Sequence, residues 1–189
     1  MRRALTMLSA MAVMVVLAAG VAFAANIVCT TDPCVGTRGD DQILGAENTE
    51  TINALAGDDF VEGSGSGETI YLDRGRDSAD GRDGNDTIYG GVGNDGTGIG
   101  SSFLAGSEGS DTVYGGKGND YIDAAGNDTI GSVDYSYGEG GSDTIYAQDG
   151  NVDIIDCGEN KGKDNDTVYY DEGIDTVTNC EVLNPPTTL

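Results

Sequence analysis

The chain has 189 residues, with 33 acidic residues against nine basic ones and no histidine. That balance argues against nucleic-acid binding, which needs clustered Lys and Arg, and the missing imidazole excludes Ser-His or Cys-His relays and helical zinc-protease motifs. Glycine reaches 31 residues while tryptophan is absent and phenylalanine numbers three, so no thick aromatic core is available.

Residues 1–24 read as a secretory signal. Arg2 and Arg3 precede an apolar run from Leu5 to Ala19, and Ala22-Phe23-Ala24 fits a small-residue cleavage site. The run is shorter than the roughly 20 apolar residues that a span needs. The expectation is a cleaved leader, a mature chain without a membrane span, and an extracellular location. Export places the four cysteines in an oxidising compartment. Residues 25–35 form an N-terminal cap bearing Cys29 and Cys34, while Cys157 and Cys180 flank the last units. Of the three possible pairings, the local one, Cys29–Cys34 with Cys157–Cys180, is expected. It staples the two ends of an elongated array, where a unit lacks a neighbour on one side.

From residue 36 to 98 the chain falls into units of nine: GTRGDDQIL, GAENTETIN, ALAGDDFVE, GSGSGETIY, LDRGRDSAD, GRDGNDTIY, GGVGNDGTG. The fourth position is Gly39, Asn48, Gly57, Ser66, Gly75, Gly84, Gly93. The sixth is Asp41, Glu50, Asp59, Glu68, Asp77, Asp86, Asp95. The eighth is Ile43, Ile52, Val61, Ile70, Ala79, Ile88, Thr97. Residues 99–105 interrupt the register. It resumes over 106–131 with GSEGSDTVY, GGKGNDYID and a compressed AAGNDTIG. A second insertion is expected at 132–137. Repeats and a C-terminal cap fill 138–183, and 184–189 is a tail.

Each unit is half turn and half strand. Side chains alternate across a strand, so the eighth residue faces inward and the seventh and ninth face out. Two units make one coil of about 18 residues, and coils stack at the strand spacing of about 4.8 Å. The fold class is therefore all-β, a parallel β-roll (solenoid) with disulfide-stapled ends. Units two apart share an edge, where turns present stacked carboxylates that repel unless a cation intervenes. The ligands are all oxygen, from Asp and from carbonyls freed by glycine turns, a set that suits Ca²⁺. Soft metals find no suitable ligands. Tyr71 and Tyr89 occupy the ninth position two units apart and should stack on the outer face.

The units resemble the hemolysin-type, or RTX, calcium-binding repeat G-G-x-G-x-D-x-U-x, from Gly36 to about Val177. Gly81–Tyr89, Gly106–Tyr114 and Gly115–Asp123 carry the likeness best. The resemblance implies several Ca²⁺ ions held between consecutive turns of one edge by carbonyls and sixth-position Asp. Matched to this sequence, one edge is intact: Gly39 and Asp41, Gly57 and Asp59, Gly75 and Asp77, Gly93 and Asp95. The other has Glu50 and Glu68 before Gly84 and Asp86, with Asn48 and Ser66 in place of glycine. Glutamate overshoots a site cut for aspartate, so weak or empty sites are expected there. Gly109 with Asp111, Gly118 with Asp120, Asp128, and Gly141 with Asp143 complete the ligand set, their edges left open. The acidic clusters are all accounted for by the repeat. The expected function is calcium binding by a secreted roll with a structural or adhesive role and a surface-glycan or cell-envelope partner. The alternative is an accessory or degenerate polysaccharide-modifying enzyme.

Overall fold

The computed structural model describes residues 25–97, 103–126, 128, 130–158 and 164–186. The leader expected at 1–24 lies outside them. Among the described residues the regular structure is β-strand, and no helix is long and apolar enough to cross a membrane.

Two nine-stranded sheets face each other across a narrow core. The first stacks Asn26–Val28, Gln42–Leu44, Phe60–Ser64, Ser78–Arg82, Leu104–Ala105, Tyr121–Asp123, Thr144–Ala147, Thr167–Tyr170 and Val182–Asn184. The second stacks Cys34–Val35, Thr51–Asn53, Thr69–Tyr71, Thr87–Gly93, Thr112–Lys117, Tyr135–Gly140, Ile154–Asp156 and Thr176–Thr178, with Arg74–Gly75 also pairing to Thr87–Gly93. Every pairing is parallel, and equivalent unit positions stand opposite each other: Ile43 against Val61, Ile52 against Ile70, Ile70 against Ile88. This is the expected parallel β-roll. Consecutive units alternate between the sheets because each nine-residue turn carries the chain across.

The core is one residue deep from either side. Ile43, Ile52, Val61, Ile70, Ala79, Ile88, Val113, Ile122, Ile145, Ile155 and Val168 are buried at the eighth position. Their flanks in the strands are half-buried or exposed, as period-two alternation requires. Outside the core, Tyr71, Tyr89, Tyr114 and Tyr137 stack in one row. Their ring centroids are 4.8–4.9 Å apart and their planes nearly parallel. The stack expected for the first two thus runs through four turns, because the strand spacing falls within the centroid separations of offset-stacked rings. Cys29 pairs with Cys34 and Cys157 with Cys180, as expected. The second closes a separation of 23 residues, worth about 3 kcal/mol in the chain-entropy account.

Both expected irregularities are placed differently by the structure. Residues 99–105 are not simply an interruption. The chain returns to register by Phe103, and Leu104 sits fully buried between Ala79 and Ile122. Thr97, expected at an inward eighth position, is exposed instead, because Leu104 has taken its slot. Residues 132–137 are not an insertion either. Asp134, Tyr135, Ser136 and Tyr137 stand level with Asp111, Thr112, Val113 and Tyr114. The surplus residues come earlier, within the stretch expected as a compressed unit, 124–131. Ser136 disguised this register, being a hydroxyl at a core position.

The burial of Leu104 is testable. Leu104→Ala should cost about 2–5 kcal/mol in a denaturant titration of the calcium-loaded chain, as for a buried leucine elsewhere. A residue in a surface excursion would change stability by less than about 0.5 kcal/mol.

Candidate metal sites

The turns at each end of the strands bring the sixth-position residues into two columns. On the first edge, the N–H of Asp41 donates to Asp59 Oδ1 at 2.7 Å, Asp59 to Asp77 at 2.7 Å, and Asp77 to Asp95 at 2.9 Å. The column continues from Asp95 to Asp120, Asp120 to Asp143, and Asp143 to Asp166, at 2.8–2.9 Å. On the second edge it runs Glu68, Asp86, Asp111, Asp134, Asp153, Asp175, at 2.6–3.1 Å. The edges left open by the sequence are thereby assigned. Asp120 and Asp143 lie with Asp95, and Asp111 lies with Asp86. Chain spacing along the columns is 18 residues up to Asp95 and ranges from 19 to 25 across the irregular turns beyond it.

Each such hydrogen bond uses one carboxylate oxygen. The other, Oδ2, is buried without a hydrogen-bond partner in Asp59, Asp77, Asp86, Asp95, Asp111, Asp120, Asp143 and Asp153. These residues are at most 3% exposed. A buried acceptor left unmet costs about 1–3 kcal/mol, and more when charged. Eight in register mark a place for a cation. Among the described residues no three acidic or cysteine side chains are already gathered around one point, so an ion must also draw on main-chain oxygens.

The glycines supply that access. A Cβ at Gly75 would lie 1.7 Å from the carbonyl oxygen of Gly57, one at Gly93 1.5 Å from that of Gly75, and one at Gly118 1.3 Å from that of Gly93. The fourth-position carbonyls of Gly57, Gly75 and Gly93 thus rise up the first edge, each packed against the next glycine. Gly141 against Gly118, and Gly109 against Gly84, repeat the contact. First-position glycines make room for the free carboxylate oxygens. A Cβ on Gly81, Gly90 or Gly138 would fall within 2.8 Å of Oδ2 of Asp86, Asp95 or Asp143.

Glu68 and Glu50, on the half expected to be weak, meet different partners from the aspartates above them. Glu68 is buried, but the hydroxyl of Ser64 donates to its Oε1 and the N–H of Ser64 to its Oε2 at 3.1 Å. Glu50 is exposed, and its N–H donates downward to Asp32 Oδ1 at 3.0 Å. Two residues depart from their expected roles. Asp41 closes the column: the N–H of Thr37 donates to its Oδ2 at 2.5 Å, and those of Ala25 and the Thr37 hydroxyl reach its Oδ1, each at 2.9 Å. Asp128 is off register, since Asp134 holds the sixth position of its turn.

Four column residues stand outside the ligand set expected from the sequence: Asp134 and Asp153, and Asp166 and Asp175, whose spacing of nine residues matches the repeat. The available signal was an Asp two residues before a strand-centre residue, as in Asp153-Ile154-Ile155 and Asp166-Thr167-Val168. A second column was missed as well. At the fifth position, Asp58 N–H donates to Asp40 Oδ1, Asn119 to Asn94 Oδ1 and Ser142 to Asn119 Oδ1, at 2.9–3.0 Å. These bonds run opposite in direction to those of the sixth position, so the turns are tied both ways.

Electrostatics agree with the geometry. Burial pushes Asp59, Asp95 and Asp111 up to about 6, Asp120 and Asp153 to about 7, and Asp77, Asp86 and Asp143 to about 8. Column N–H groups pull the other way, and in most cases neighbouring carboxylates add to the rise.

The family described as the RTX calcium-binding nonapeptide repeat (4 copies) matches residues 35–61, 62–96, 97–130, 131–155 and 162–177. Comparison with curated proteins and with solved structures gave no match.

Two outcomes follow from the geometry. Gly75→Ala should abolish ordered structure around its turn, seen as lost amide protection, whereas Gly65→Ala, with nothing within 4 Å of its Cβ, should change stability by less than about 0.5 kcal/mol. The second concerns pH. A carboxyl whose folded value is raised stabilises the metal-free fold below its unfolded value near 4 and loses that contribution as pH rises through 6 to 8. In excess chelator the urea midpoint should therefore be higher at pH 5 than at pH 8. In saturating Ca²⁺ the order should reverse, since the ion needs the ionised form.

Proposed function

The chain belongs to the RTX calcium-binding nonapeptide repeat family, and we propose that it is a secreted roll that completes its folding around Ca²⁺ outside the cell. RTX repeats of this kind bind several Ca²⁺ ions. The finer assignment rests on one observation, the register of buried, unpartnered Oδ2 atoms from Asp59 upward. We assign Asp59, Asp77, Asp95, Asp120 and Asp143 to the first edge's ions, and Asp86, Asp111 and Asp153 to the second's, with the carbonyls of Gly57, Gly75, Gly93, Gly118 and Gly84 completing the oxygen set. Bound there, Ca²⁺ supplies positive charge and no redox or proton chemistry. The residues orient oxygens and exclude water.

Asp41, Glu50 and Glu68 hold no ion in this reading, because protein donors serve Asp41 and Glu68 and Glu50 faces solvent. Secretion is supported by the leader-like residues 1–24 and by two disulfides, which persist in oxidising compartments. Outside the cell, sites with dissociation constants of about 10⁻⁴–10⁻³ M would fill. We assign the roll a structural or adhesive role. The uncharged stripe of Tyr71, Tyr89, Tyr114 and Tyr137, beside Thr69, Thr87 and Thr112 on the same strands, is the face we assign to a surface glycan or the cell envelope.

Circular dichroism with calorimetry on the full chain tests the calcium reading. Ca²⁺ should raise β-structure cooperatively. Asp77→Asn should weaken at least one binding step by about tenfold, whereas Glu68→Gln should leave the steps unchanged. Equal β-structure in excess chelator, or equal losses in the two variants, would overturn it.

A further inference from the structure

Asp41 is the lowest carboxylate of the first-edge column and is 3% exposed. Asp59, Asp77, Asp95, Asp120 and Asp143 above it each keep an oxygen without a donor, which the calcium reading gives to an ion. Asp41 keeps none. The N–H of Thr37 donates to its Oδ2, while the Thr37 hydroxyl and the N–H of Ala25 donate to its Oδ1, each at 2.9 Å. These groups satisfy its hydrogen bonding and bring no charge. The ion pairs among the described residues, Arg76 with Asp58 and Arg82 with Glu62, involve other groups. A buried carboxylate with donors and no counter-charge is costly to keep ionised.

Ala25 stands where that charge can arise. Asn26, Ile27 and Val28 pair with Gln42, Ile43 and Leu44, so Ala25 is level with Asp41, at the sixth position of the incomplete coil beneath. Its carbonyl accepts the N–H of Gln42 at 2.8 Å. The residue is thus held at both ends, with its nitrogen 2.9 Å from Asp41 Oδ1. The small-residue rule, applied to the sequence alone, ends the leader at Ala24. Hydrolysis of the Ala24–Ala25 peptide bond by a leader peptidase adds one water across it. Ala24 leaves with a carboxylate, and Ala25 gains an α-ammonium group, which is largely protonated at neutral pH. The neutral N–H that faces Asp41 then becomes a cationic donor, and the hydrogen bond becomes charge-assisted.

We infer that the α-ammonium group of Ala25, made by leader cleavage, is the counter-ion of Asp41 and takes, at the foot of the first column, the place assigned to Ca²⁺ further up. The inference rests on the secretion reading above and adds a structural role to the cleavage. Removing the leader supplies the charge that fixes the first coil, so this part of the roll is completed by processing and the coils above it by ions.

N-terminal sequencing of the exported protein should return Ala25. Three mature chains are then compared by amide hydrogen exchange in saturating Ca²⁺: one beginning at Ala25, the same chain acetylated at its α-amino group, and one beginning at Ala24. Both altered chains keep a neutral N–H on Ala25, and the charge is removed in one and displaced by a residue in the other. In both, the amides of Cys29, Asp41 and Gln42, which bond within the first coils, should exchange at least about tenfold faster, as expected when a charge-assisted bond becomes a neutral one. The amides of Tyr121 and Thr144, in distant coils, should not change. In an Asp41→Asn background the three chains should exchange alike. Equal protection in the three wild-type chains, a difference that survives Asp41→Asn, or an exported chain that begins at another residue would overturn the inference and leave the calcium reading intact. An exported chain that retains residues 1–24 would overturn it together with the cleaved leader. The acetylation comparison involves no substitution, so it decides the matter even if Asp41→Asn does not fold.

Discussion

Each sixth-position carboxylate in the roll has two oxygens with different tasks. One accepts the N–H of the turn below and so fixes the height of the stack. The other is buried with nothing to accept. The first task makes the second unavoidable. Side chains held in register by the ladder sit one turn apart, in a setting that resists charge. The hydrogen bonds that build the column therefore assemble a repulsive line of carboxylates, and the strand pairing holds it together only if the charge is answered. Thin packing sharpens the conflict. With one buried eighth-position residue per unit, mostly Ile or Val, joined in some units by a single first-position residue such as Ala54, Leu72 or Ala147, the core supplies limited hydrophobic stabilisation per turn. Under the proposed calcium reading, counter-charge is therefore part of the fold and not an addition to it.

The glycine pattern follows from the same constraint. The turns must stack at strand spacing while carbonyl and carboxylate oxygens occupy the gap. A Cβ at Gly75, Gly93 or Gly118 would take the position of the carbonyl beneath it. At the second position of the unit the backbone also turns left-handed, with φ of 99° at Gly91 and 106° at Gly116. This chain nevertheless places Leu55, Asp73, Arg82, Ser107 and Glu139 there, at φ between 68° and 84°. Such residues cost about 1–2 kcal/mol each relative to glycine, so the turns carry strain that pairing and ion uptake must offset. The fourth position tolerates no such substitution on the intact edge, because there the barrier is a backbone atom and not a torsional preference.

The repeat made the architecture and the intact edge legible, because strand, turn and ligand positions share one nine-residue period. Ile52, Ile70 and Ile88 locate the core, and Asp59, Asp77 and Asp95 locate the column, from spacing alone. Legibility failed where structure conserved position in space and not in sequence. Leu104 returns to the core after an excursion that moves it seven residues out of phase with Thr97. Ser136 fills a core slot with a residue type that reads as loop. Asp134 was hidden behind it, since the recognition of a ligand depended on an aliphatic residue two places later. Asp128 was noticed for matching the repeat letters, yet the structure gives it a different neighbour, the N–H of Gly109. Local pattern carries no information on which surplus residues a turn will extrude.

The ends of the columns show how the roll stops. A stack of carboxylates that each await an N–H from below and a cation beside them has no natural last member. At the N-terminal end the problem is met by protein donors. Ala25 and Thr37 serve Asp41, Asp32 takes the N–H groups of Glu50 and Thr51, and Ser64 serves Glu68. Cys29–Cys34 ties this segment beneath the first full turn. At the other end Glu181 Oε2 accepts the N–H of Asp166, while Cys157–Cys180 ties the final second-sheet strands. In the first-edge column, the end carboxylate Asp41 is satisfied locally, by the Thr37 hydroxyl and two backbone N–H groups, whereas Asp59, Asp77, Asp95, Asp120 and Asp143 each keep a buried oxygen without a protein donor. Substituting Glu for Asp at 68 belongs to the same division. The longer side chain reaches back to Ser64 in its own turn, closing the second column from below at the point where the first column is already open. The first carboxylates of each column are thus met by protein donors, and the coils above them present carboxylate oxygens that the chain leaves without a donor.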